Sequence, residues 1–317
     1  MSVRKLLSVV VGAGLLVTLA ACSSAPAGFA GCDSRGNASL VSASGAFASD
    51  PKAEFPTPLV AKSNDVHVIS RGDGDVVRAD QGADLTVSLY DGQTGDPIAT
   101  QGGPLVDAGL RVFIEGSFPY TTALECATVG SRVVTTGTVK GILGTIGDNI
   151  GLDPASTIVV VTDVEKTFLG KANGADQVPQ SGFPAVVIAP NGRAGITFPS
   201  GDVPTELKYA ATKQGTGTTV KEGDSIIVGI TGVVWGSAEP FASSWENDAP
   251  GTITVATTDG NNNGVAAGLA EALAGQRVGS QVIAIVPPEL GYPEGLAPAD
   301  VPPGSTLFFV VDIRGIA

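Results

Sequence analysis

The sequence has few of the residues that most enzymes use for acid–base and metal chemistry. Its 317 residues include one histidine (His67), one methionine at the start and three cysteines. A single imidazole cannot serve both a catalytic triad and a metal centre, so most histidine-based catalysis and histidine-rich metal sites are excluded. We therefore expect neither a metal nor another cofactor.

Positive charge is also scarce, with 18 Lys and Arg against 31 Asp and Glu and a net charge of −13. This balance argues against a nucleic-acid partner. Hydrophobic residues make up 43%, enough for ordinary cores, and the length suggests two domains at roughly 150 residues each. The 43 Gly and 21 Pro, with no collagen-like period, predict many turns between short strands.

The first residues have the features of a targeting segment. Arg4 and Lys5 precede an apolar run, residues 6–19, that is too short to cross roughly 30 Å of hydrocarbon as a helix. The run ends in Leu19-Ala-Ala-Cys22, which resembles the bacterial lipobox, in which the cysteine is lipidated and becomes the new N-terminus. We expect a lipoprotein signal peptide at 1–22, a flexible tether at 23–36 and a lipid anchor on the extracytoplasmic face. An ordinary secretory peptide is the alternative.

The remaining cysteines form an even pair once Cys22 carries lipid. Cys32 and Cys126 would lie in a compartment that permits disulfides, so a bridge between them is predicted. The alternative for Cys126 is a reactive thiol, but no histidine neighbours it in sequence to lower its pKa.

The mature chain repeats itself. Phe55-Pro56 recurs as Phe198-Pro199 at a shift of 143, and Leu124 and Val129-Gly-Ser131 recur at a shift of 149. Between them, residues 82–87 align with 223–228 if a gap of two residues is allowed. Two tandem domains are predicted at 37–170 and 182–317, joined by a linker at 171–181.

Each copy is predicted to be α+β, an antiparallel sheet packed on one short helix. Short β-branched runs predict strands at 85–89, 158–164, 226–230, 282–286 and 307–313. The helix of the second copy is expected at 266–274, and that of the first copy after the capping-box spacing of Thr122 and Glu125. Leu40 to Ala43 is a candidate edge strand.

Four stretches of the second copy resemble the FKBP-type peptidyl-prolyl cis-trans isomerase family. They are GDSIIVGITGVVW, EPFASSW, VAAGLAEALAGQRVGSQVIAIVPPELGYPEG and DVPPGSTLFFVVDI, within about residues 215–317. The first copy resembles the family weakly, through LTVSLYDG, LECATVGSRVV and DPASTIVVVTDV. The resemblance implies two tandem FKBP-like domains, each an antiparallel curved β-sheet wrapped on one short α-helix.

The resemblance also implies a substrate cleft in the second copy. Phe241 matches the pocket aromatic, Tyr292 the tyrosine that donates a hydrogen bond to substrate, and Val265 and Ala266 the pair whose backbone lines the cleft. The implied substrate-binding positions are Ile230, Leu269, Val301 and Phe309. For any single apolar member, core packing is the alternative.

Three positions depart from the family pattern. Ala242 stands where the family has Asp, Leu269 where it has the Trp that forms the pocket floor, and Ile230 where it often has Tyr. These departures keep the cleft apolar but remove polar and aromatic groups. The first copy lacks an FxSS and a PPxxxY segment, although Tyr120 restores an aromatic at the position of Leu269, so we expect it to be non-catalytic.

The resemblance therefore implies a monomeric, membrane-anchored isomerase acting on proline-containing secreted or surface polypeptides, without a metal. The alternative is a non-catalytic chaperone or binding module built from degenerate domains. Asp259 to Gly264 matches the first half of a calcium loop, but Ala270 occupies the position of the bidentate Glu, so a turn is favoured.

Overall fold

A computed structural model describes residues 36–100, 103–104, 106–113, 119–245, 251–258 and 263–317. The predicted signal peptide, the lipidated Cys22, the tether up to residue 35 and the Cys32 end of the predicted bridge lie outside the described residues. No helix among the described residues is long and apolar enough to cross a membrane.

The first half of the chain folds around a five-stranded antiparallel sheet. Its strands, with two small hairpins, are β1 Ser42–Ser44, β2 Lys52–Glu54, β3 Asp65–Ser70, β4 Gln81–Asp91, β5 Ala99–Thr100, β6 Gly103–Pro104, β7 Val106–Phe113, β8 Arg132–Thr138 and β9 Thr157–Leu169. The strand order in the sheet is β3-β8-β9-β4-β7. Short apolar segments between turns form these strands, as the sequence predicted.

The second half folds around a seven-stranded antiparallel sheet. Its strands are β10 Ala175–Asp176, β13 Lys208–Gln214, β14 Ser225–Val234, β15 Pro240–Ser243, β16 Gly251–Thr254, β17 Gln281–Val286 and β18 Leu307–Ile316, and a separate hairpin is formed by β11 Ala185–Ile188 and β12 Ala194–Thr197. The order is β10-β13-β17-β18-β14-β15, with β16 also paired to β14. The central order β13-β17-β18-β14 repeats β3-β8-β9-β4.

The two sheets also share register and irregularities. Asp65 pairs with Thr136, and Lys208 pairs with Ile285, which are the same positions at shifts of 143 and 149. A bulge follows Val68 in β3, and another follows Ala211, 143 residues later, in β13. This correspondence extends the sequence repeat to hydrogen-bonding geometry.

The two-residue gap expected in the repeat is wrong. Leu85 pairs with Val164, and Val228 pairs with Ile313, so β4 and β14 correspond at the unbroken shift of 143. The sequence alignment favoured the gap because it matched two glycines, whereas the ladder hydrogen bonds fix the register. The first-copy position that corresponds to Ile230 is therefore Val87.

A hairpin covers the outer face of each sheet. The hairpin β1–β2 packs against Tyr90, Val159 and Val161 of the first sheet. The hairpin β11–β12 packs against Val233, Phe308 and Val310 of the second. The sequence predicted Leu40 to Ala43 as an edge strand, but β1 pairs with β2 alone and lies over the sheet face. The two hairpins are again 143 residues apart, since Ser42↔Glu54 corresponds to Ala185↔Thr197.

The inner faces pack on helices, and here the copies differ. In the second copy α3, Ala267–Leu273, lies within the predicted range and buries Leu269 and Leu273. Its interior is Ala- and Leu-rich, and Gly275 with φ +82 follows its end. Ordinary apolar burial therefore fixes the helix on the sheet.

In the first copy the predicted single helix is wrong. A 3₁₀ helix, Pro119–Cys126, begins before Thr122, whose hydroxyl donates to the carbonyl of Pro119. Two further helices, α1 Val139–Leu143 and α2 Thr145–Asn149, occupy the Gly- and Thr-rich connection between β8 and β9. The Thr138 hydroxyl caps α1 by accepting from the N–H of Gly141.

The segment predicted as a linker is partly joined to the second sheet. Ala172 N–H donates to the Asp312 carboxylate at 2.8 Å, and Gly174 N–H donates to the carbonyl of Gly279 at 2.9 Å. β10 then pairs with the end of β13. These hydrogen bonds fix residues 172–176 to the second sheet.

Candidate active site

The eight cleft positions implied by the resemblance lie in one hydrophobic cluster between α3 and the inner face of the second sheet. Five of them are buried and three are half-buried at its margin. The buried positions are Val265, Ala266, Leu269, Val301 and Phe309, and the half-buried ones are Ile230, Phe241 and Tyr292. Partial exposure of the two aromatic rings and Ile230 leaves an apolar surface that a ligand can reach.

The half-buried Phe241 forms an edge-to-face pair with the buried Phe309. Their ring centroids are 5.8 Å apart with an interplanar angle of 84°. Gly232 makes room for them, because a Cβ there would lie 2.9 Å from Phe241 Cζ and from Phe309 Cε1. Two strands and one glycine thus set the position of the pocket aromatic.

Tyr292 projects from the connection between β17 and β18. This connection begins with a 3₁₀ turn, Pro288–Leu290, and returns as Gly295 N–H donates to the Tyr292 carbonyl at 2.9 Å. Burial raises the pKa of the Tyr292 phenol, while an interaction with the Ala266 backbone lowers it by less. The phenol is therefore protonated at neutral pH and able to donate a hydrogen bond.

The backbone groups of Val265 and Ala266 have different hydrogen-bond partners. The Val265 N–H donates to the Ala256 carbonyl, and its own carbonyl accepts from Thr258 N–H, both at 2.9 Å. The Ala266 carbonyl accepts from the first turn of α3, and the Ala266 backbone meets the Tyr292 phenol. The Ala266 carbonyl is thus engaged by the helix, while its amide lies beside the Tyr292 phenol at the margin of the cluster.

The corresponding region of the first copy is filled. Tyr120, at the position of Leu269, is 1% exposed, and it shares one core cluster with Val139, Ile142 and Leu143 of α1. In the second copy the same connection consists of two 3₁₀ turns, Pro288–Leu290 and Ala297–Ala299, and holds the half-buried Tyr292. Among the described residues, the half-buried aromatic rings that pack on such a cluster, Phe241 and Tyr292, belong to the second copy.

Sequence reasoning missed two residues behind the cleft. Trp245 was noticed only as part of the EPFASSW stretch, yet its ring lies 4.3 Å from the guanidinium carbon of Arg314. Strand alternation could have found Arg314, because it shares the outer face of β18 with Phe308, Val310 and Asp312. The sequence gives no signal for the packing between the two side chains.

The described residues hold no group of three His, Cys, Asp or Glu side chains that could bind a metal ion. The calcium-like stretch lies partly outside them, since residues 259–262 are not described. The described chemistry of the cleft is therefore apolar contact, one phenol and backbone amides.

Comparison with known proteins identifies the family. A family model for FKBP-type peptidyl-prolyl cis-trans isomerases matches residues 216–314. An FK506-binding protein of Streptomyces anulatus is 28% identical over 122 residues, which cover 38% of this chain and 94% of that protein. A probable FK506-binding protein of Corynebacterium glutamicum is 31% identical over 120 residues, which cover 37% of this chain and 93% of that protein.

A longer relative matches through the same kind of domain. The FKBP-type peptidyl-prolyl cis-trans isomerase FkpA of Escherichia coli K12 is 29% identical over 112 residues, covering 35% of this chain and 38% of that protein. This chain belongs to the FKBP-type peptidyl-prolyl cis-trans isomerase family, as the sequence resemblance predicted. Its antiparallel sheets and few helices agree with an FKBP-like fold.

Proposed function

We propose that this protein is an extracytoplasmic prolyl isomerase, held at the membrane by a lipid on Cys22, whose activity resides in the cleft of the second domain. The observation that carries the proposal is the collection of all eight family positions around the Phe241–Phe309 pair. The proposal includes two tandem FKBP-like domains, supported by the shared strand order and register of the two sheets.

Such a cleft suits the reaction. Rotation about an X–Pro bond has a barrier of about 18–20 kcal/mol because amide resonance must be broken, and it needs no nucleophile or metal. An apolar surface that binds the proline ring and excludes water favours the twisted amide, whose charge separation is smaller. Phe241, Phe309 and Leu269 supply that surface, and Tyr292 with the Ala266 backbone supplies polar contacts to the peptide.

The first domain is proposed to be non-catalytic. Its α1 side chains and Tyr120 occupy the region where the second domain has its cleft. Opening that region would expose fully buried Ile142 and would cost about 1.5–3 kcal/mol for that side chain alone. The first domain then acts as a spacer between the membrane and the active domain.

The second candidate function is a chaperone that binds unfolded chains without catalysing isomerisation. Ala242 and Leu269 favour it, because an Asp and a Trp of the family pattern are missing there. An apolar cleft serves binding as well as catalysis, so only a rate measurement separates the two functions.

The test is a prolyl-isomerisation assay on residues 23–317 and on residues 171–317. The shorter piece resembles the two relatives that consist almost entirely of the matched region. Equal catalysis by both pieces, with none from residues 33–170, is the expected result. Absence of catalysis in every piece, with retained binding of an unfolded protein, would favour the chaperone.

The anchor is tested separately in cells. Replacing Cys22 by Ser should move the protein from the membrane pellet to the soluble fraction. Unchanged fractionation would exclude the proposed lipid attachment while leaving the assignment of the cleft intact.

A further inference from the structure

The turn of the outer hairpin β11–β12 rests on the indole of Trp245. Gly192 N–H donates to the Ala189 carbonyl at 2.8 Å, which closes the turn, and Gly192 has φ +94. A Cβ on Gly192 would overlap Cη2 and Cζ3 of Trp245. Glycine is thus required both by the backbone conformation and by the contact with the ring.

The indole is enclosed from its other sides as well. The guanidinium carbon of Arg314 lies 4.3 Å from the ring centroid, and Trp245 is only 8% exposed. A Cβ on Gly229 would overlap the ring and lie 2.7 Å from Arg314 Nη2. Stacking of a cation on an aromatic face is strongest when both are removed from water, so this arrangement holds the ring firmly.

Trp245 lies four residues after Phe241, on the opposite face of the sheet. Between them, Ser244 is bound to Ile230 in both directions, since Ser244 N–H donates to the Ile230 carbonyl at 3.0 Å and Ile230 N–H donates to Ser244 Oγ at 2.9 Å. β15, which carries Phe241, pairs with β14 just before these two hydrogen bonds. The short segment 241–245 is therefore fixed by one ring in the cleft and one ring behind it.

The intervening Ala242 contributes only a methyl group, so its side chain cannot anchor the segment by a polar contact. We propose that Trp245, clamped between the hairpin turn and Arg314, is the positioning residue that holds Phe241 in its edge-to-face contact with Phe309. The turn of the outer hairpin at Gly192 thereby becomes part of the support of the active site. This inference rests on the proposed function of the cleft.

A double-mutant cycle on residues 23–317 tests the coupling. We expect Trp245→Ala to lower kcat/KM about tenfold, chiefly by raising KM, because misplacement of a positioned group by about 1 Å has effects of this order or larger. In a Phe241→Ala background the same change should alter kcat/KM less than about twofold, because the positioned ring is gone. Trp245→Phe should restore part of the loss, since it keeps an aromatic face for Arg314.

Phe198→Ala is the matched control. Phe198 directly follows β12 and packs edge-on against Trp235, with the two ring centroids 4.9 Å apart. This change therefore weakens the packing beneath the hairpin while leaving both Trp245 and the Gly192 turn unaltered in sequence. We expect a fall in melting temperature like that of Trp245→Ala, with kcat/KM within about twofold of the parent. A loss of activity that follows melting temperature in both variants would overturn the positioning role.

Gly192→Ala decides the matter if Trp245→Ala does not fold. It leaves Trp245 in place but forces the turn away from the ring, and the same cycle with Phe241→Ala applies. Parental activity in the available variant, or an equal loss with and without Phe241, overturns the inference alone. A parent protein without isomerase activity overturns the proposed function together with the inference.

Discussion

Asp163 and Asp312 occupy the same position in the two sheets and hold the same kind of segment. Asp163 pairs with Arg132 across β8–β9, and Asp312 pairs with Gln281 across β17–β18. Each carboxylate accepts an N–H from the chain that precedes its own sheet, Ala48 for Asp163 and Ala172 for Asp312, both at 2.8 Å. The difference between the copies is the charge of the cross-strand partner.

Removing either carboxylate should therefore destabilise its own copy, through different partners. Asp163→Ala leaves the buried Arg132, which is bonded to Asp163 at 2.7 Å, without its counter-ion, and should cost about 3–5 kcal/mol. Asp312→Ala leaves Gln281 and the Ala172 N–H without their acceptor, which should cost about 1–3 kcal/mol. It also removes the negative charge that acts on the buried Arg314, which adds to that cost.

Urea unfolding can separate the two domains. Both tryptophans, Trp235 and Trp245, lie in the second copy, so their fluorescence reports that copy, while far-ultraviolet circular dichroism reports both. Asp163→Ala should shift the transition seen by circular dichroism alone. An equal shift of the tryptophan signal would show that the two copies unfold together.

Phe241→Ala and Tyr292→Phe should weaken catalysis to different extents. Loss of the half-buried Phe241 ring and its edge contact should lower kcat/KM by raising the activation free energy about 2–3 kcal/mol. Loss of the single Tyr292 hydroxyl should cost about 0.5–1.5 kcal/mol. Tyr209→Phe, an exposed tyrosine of β13, is the control and should match the parent. A fully active, folded Phe241→Ala would show that this cleft is not the site.

The activity of the cleft should not depend on pH between about 6 and 9. Burial raises the pKa of Tyr292 above its ordinary value, so its proton is retained throughout that range. Because folding favours the neutral phenol, Tyr292 contributes its full stabilisation at pH values below its unfolded pKa near 10. That contribution is lost as the pH rises through the higher pKa of the folded state. The kcat/KM profile of the parent measures this, and a step below pH 9 that disappears in Tyr292→Phe would contradict it.

Restoring the family's residues separates activity from packing. Ala242→Asp, at a half-buried position, should raise kcat/KM if the missing carboxylate weakened the site. Leu269→Trp enlarges a fully buried side chain and should lower the free energy of unfolding by about 1–3 kcal/mol unless neighbours move apart. Thermal melts and kcat/KM of both variants check this, and unchanged activity in a folded Ala242→Asp would remove the first explanation.

Substitution by alanine should be strongly destabilising at Gly72 and Gly215 but not at Gly195. A Cβ on Gly72 would overlap the Val129 carbonyl oxygen, and one on Gly215 would overlap that of Val278, so alanine there forces backbone apart. Each change should cost more than about 3 kcal/mol, beyond the usual range for substitutions. Gly195→Ala, with its nearest contact at 3.6 Å, should be nearly neutral. Melting curves of the three variants would show whether the backbone segments at Gly72 and Gly215 are packed as closely as described.

The strands and the second-copy helix could be predicted from sequence because the propensity of their residues for strand or helix matches the structure they form. β-Branched runs such as Val282 to Val286 and the Ala-rich interior of α3 agree with their surroundings. The first half of β18, Leu307 to Val311, is apolar on both faces because a hairpin covers one of them. The hairpin β1–β2 could not be predicted. Its three-residue strands are held by packing of Ala43 and Ala53 on the sheet, which no local pattern records.

The cleft shows the same limit. The grouping of its eight positions in one cluster could be predicted only through family motifs, because apolar residues alone do not distinguish a pocket from a core. The closure of the first-copy region by α1 was not predictable, since Val139 to Leu143 follow a strand and include Gly141. Trp245 and Arg314 are distant in sequence, and only the folded sheet brings the indole over the guanidinium.

The constant offset of the hairpins bears on ancestry. The family match begins at residue 216, after β11–β12, yet a hairpin stands at the same distance before both sheets. The simplest history is that an ancestral gene already encoded hairpin and sheet together before it was duplicated. On that history the divergence lies on the inner faces, where the first copy has α1 and α2 and the second has the Phe241–Phe309 pair, while both copies still share the outer layer.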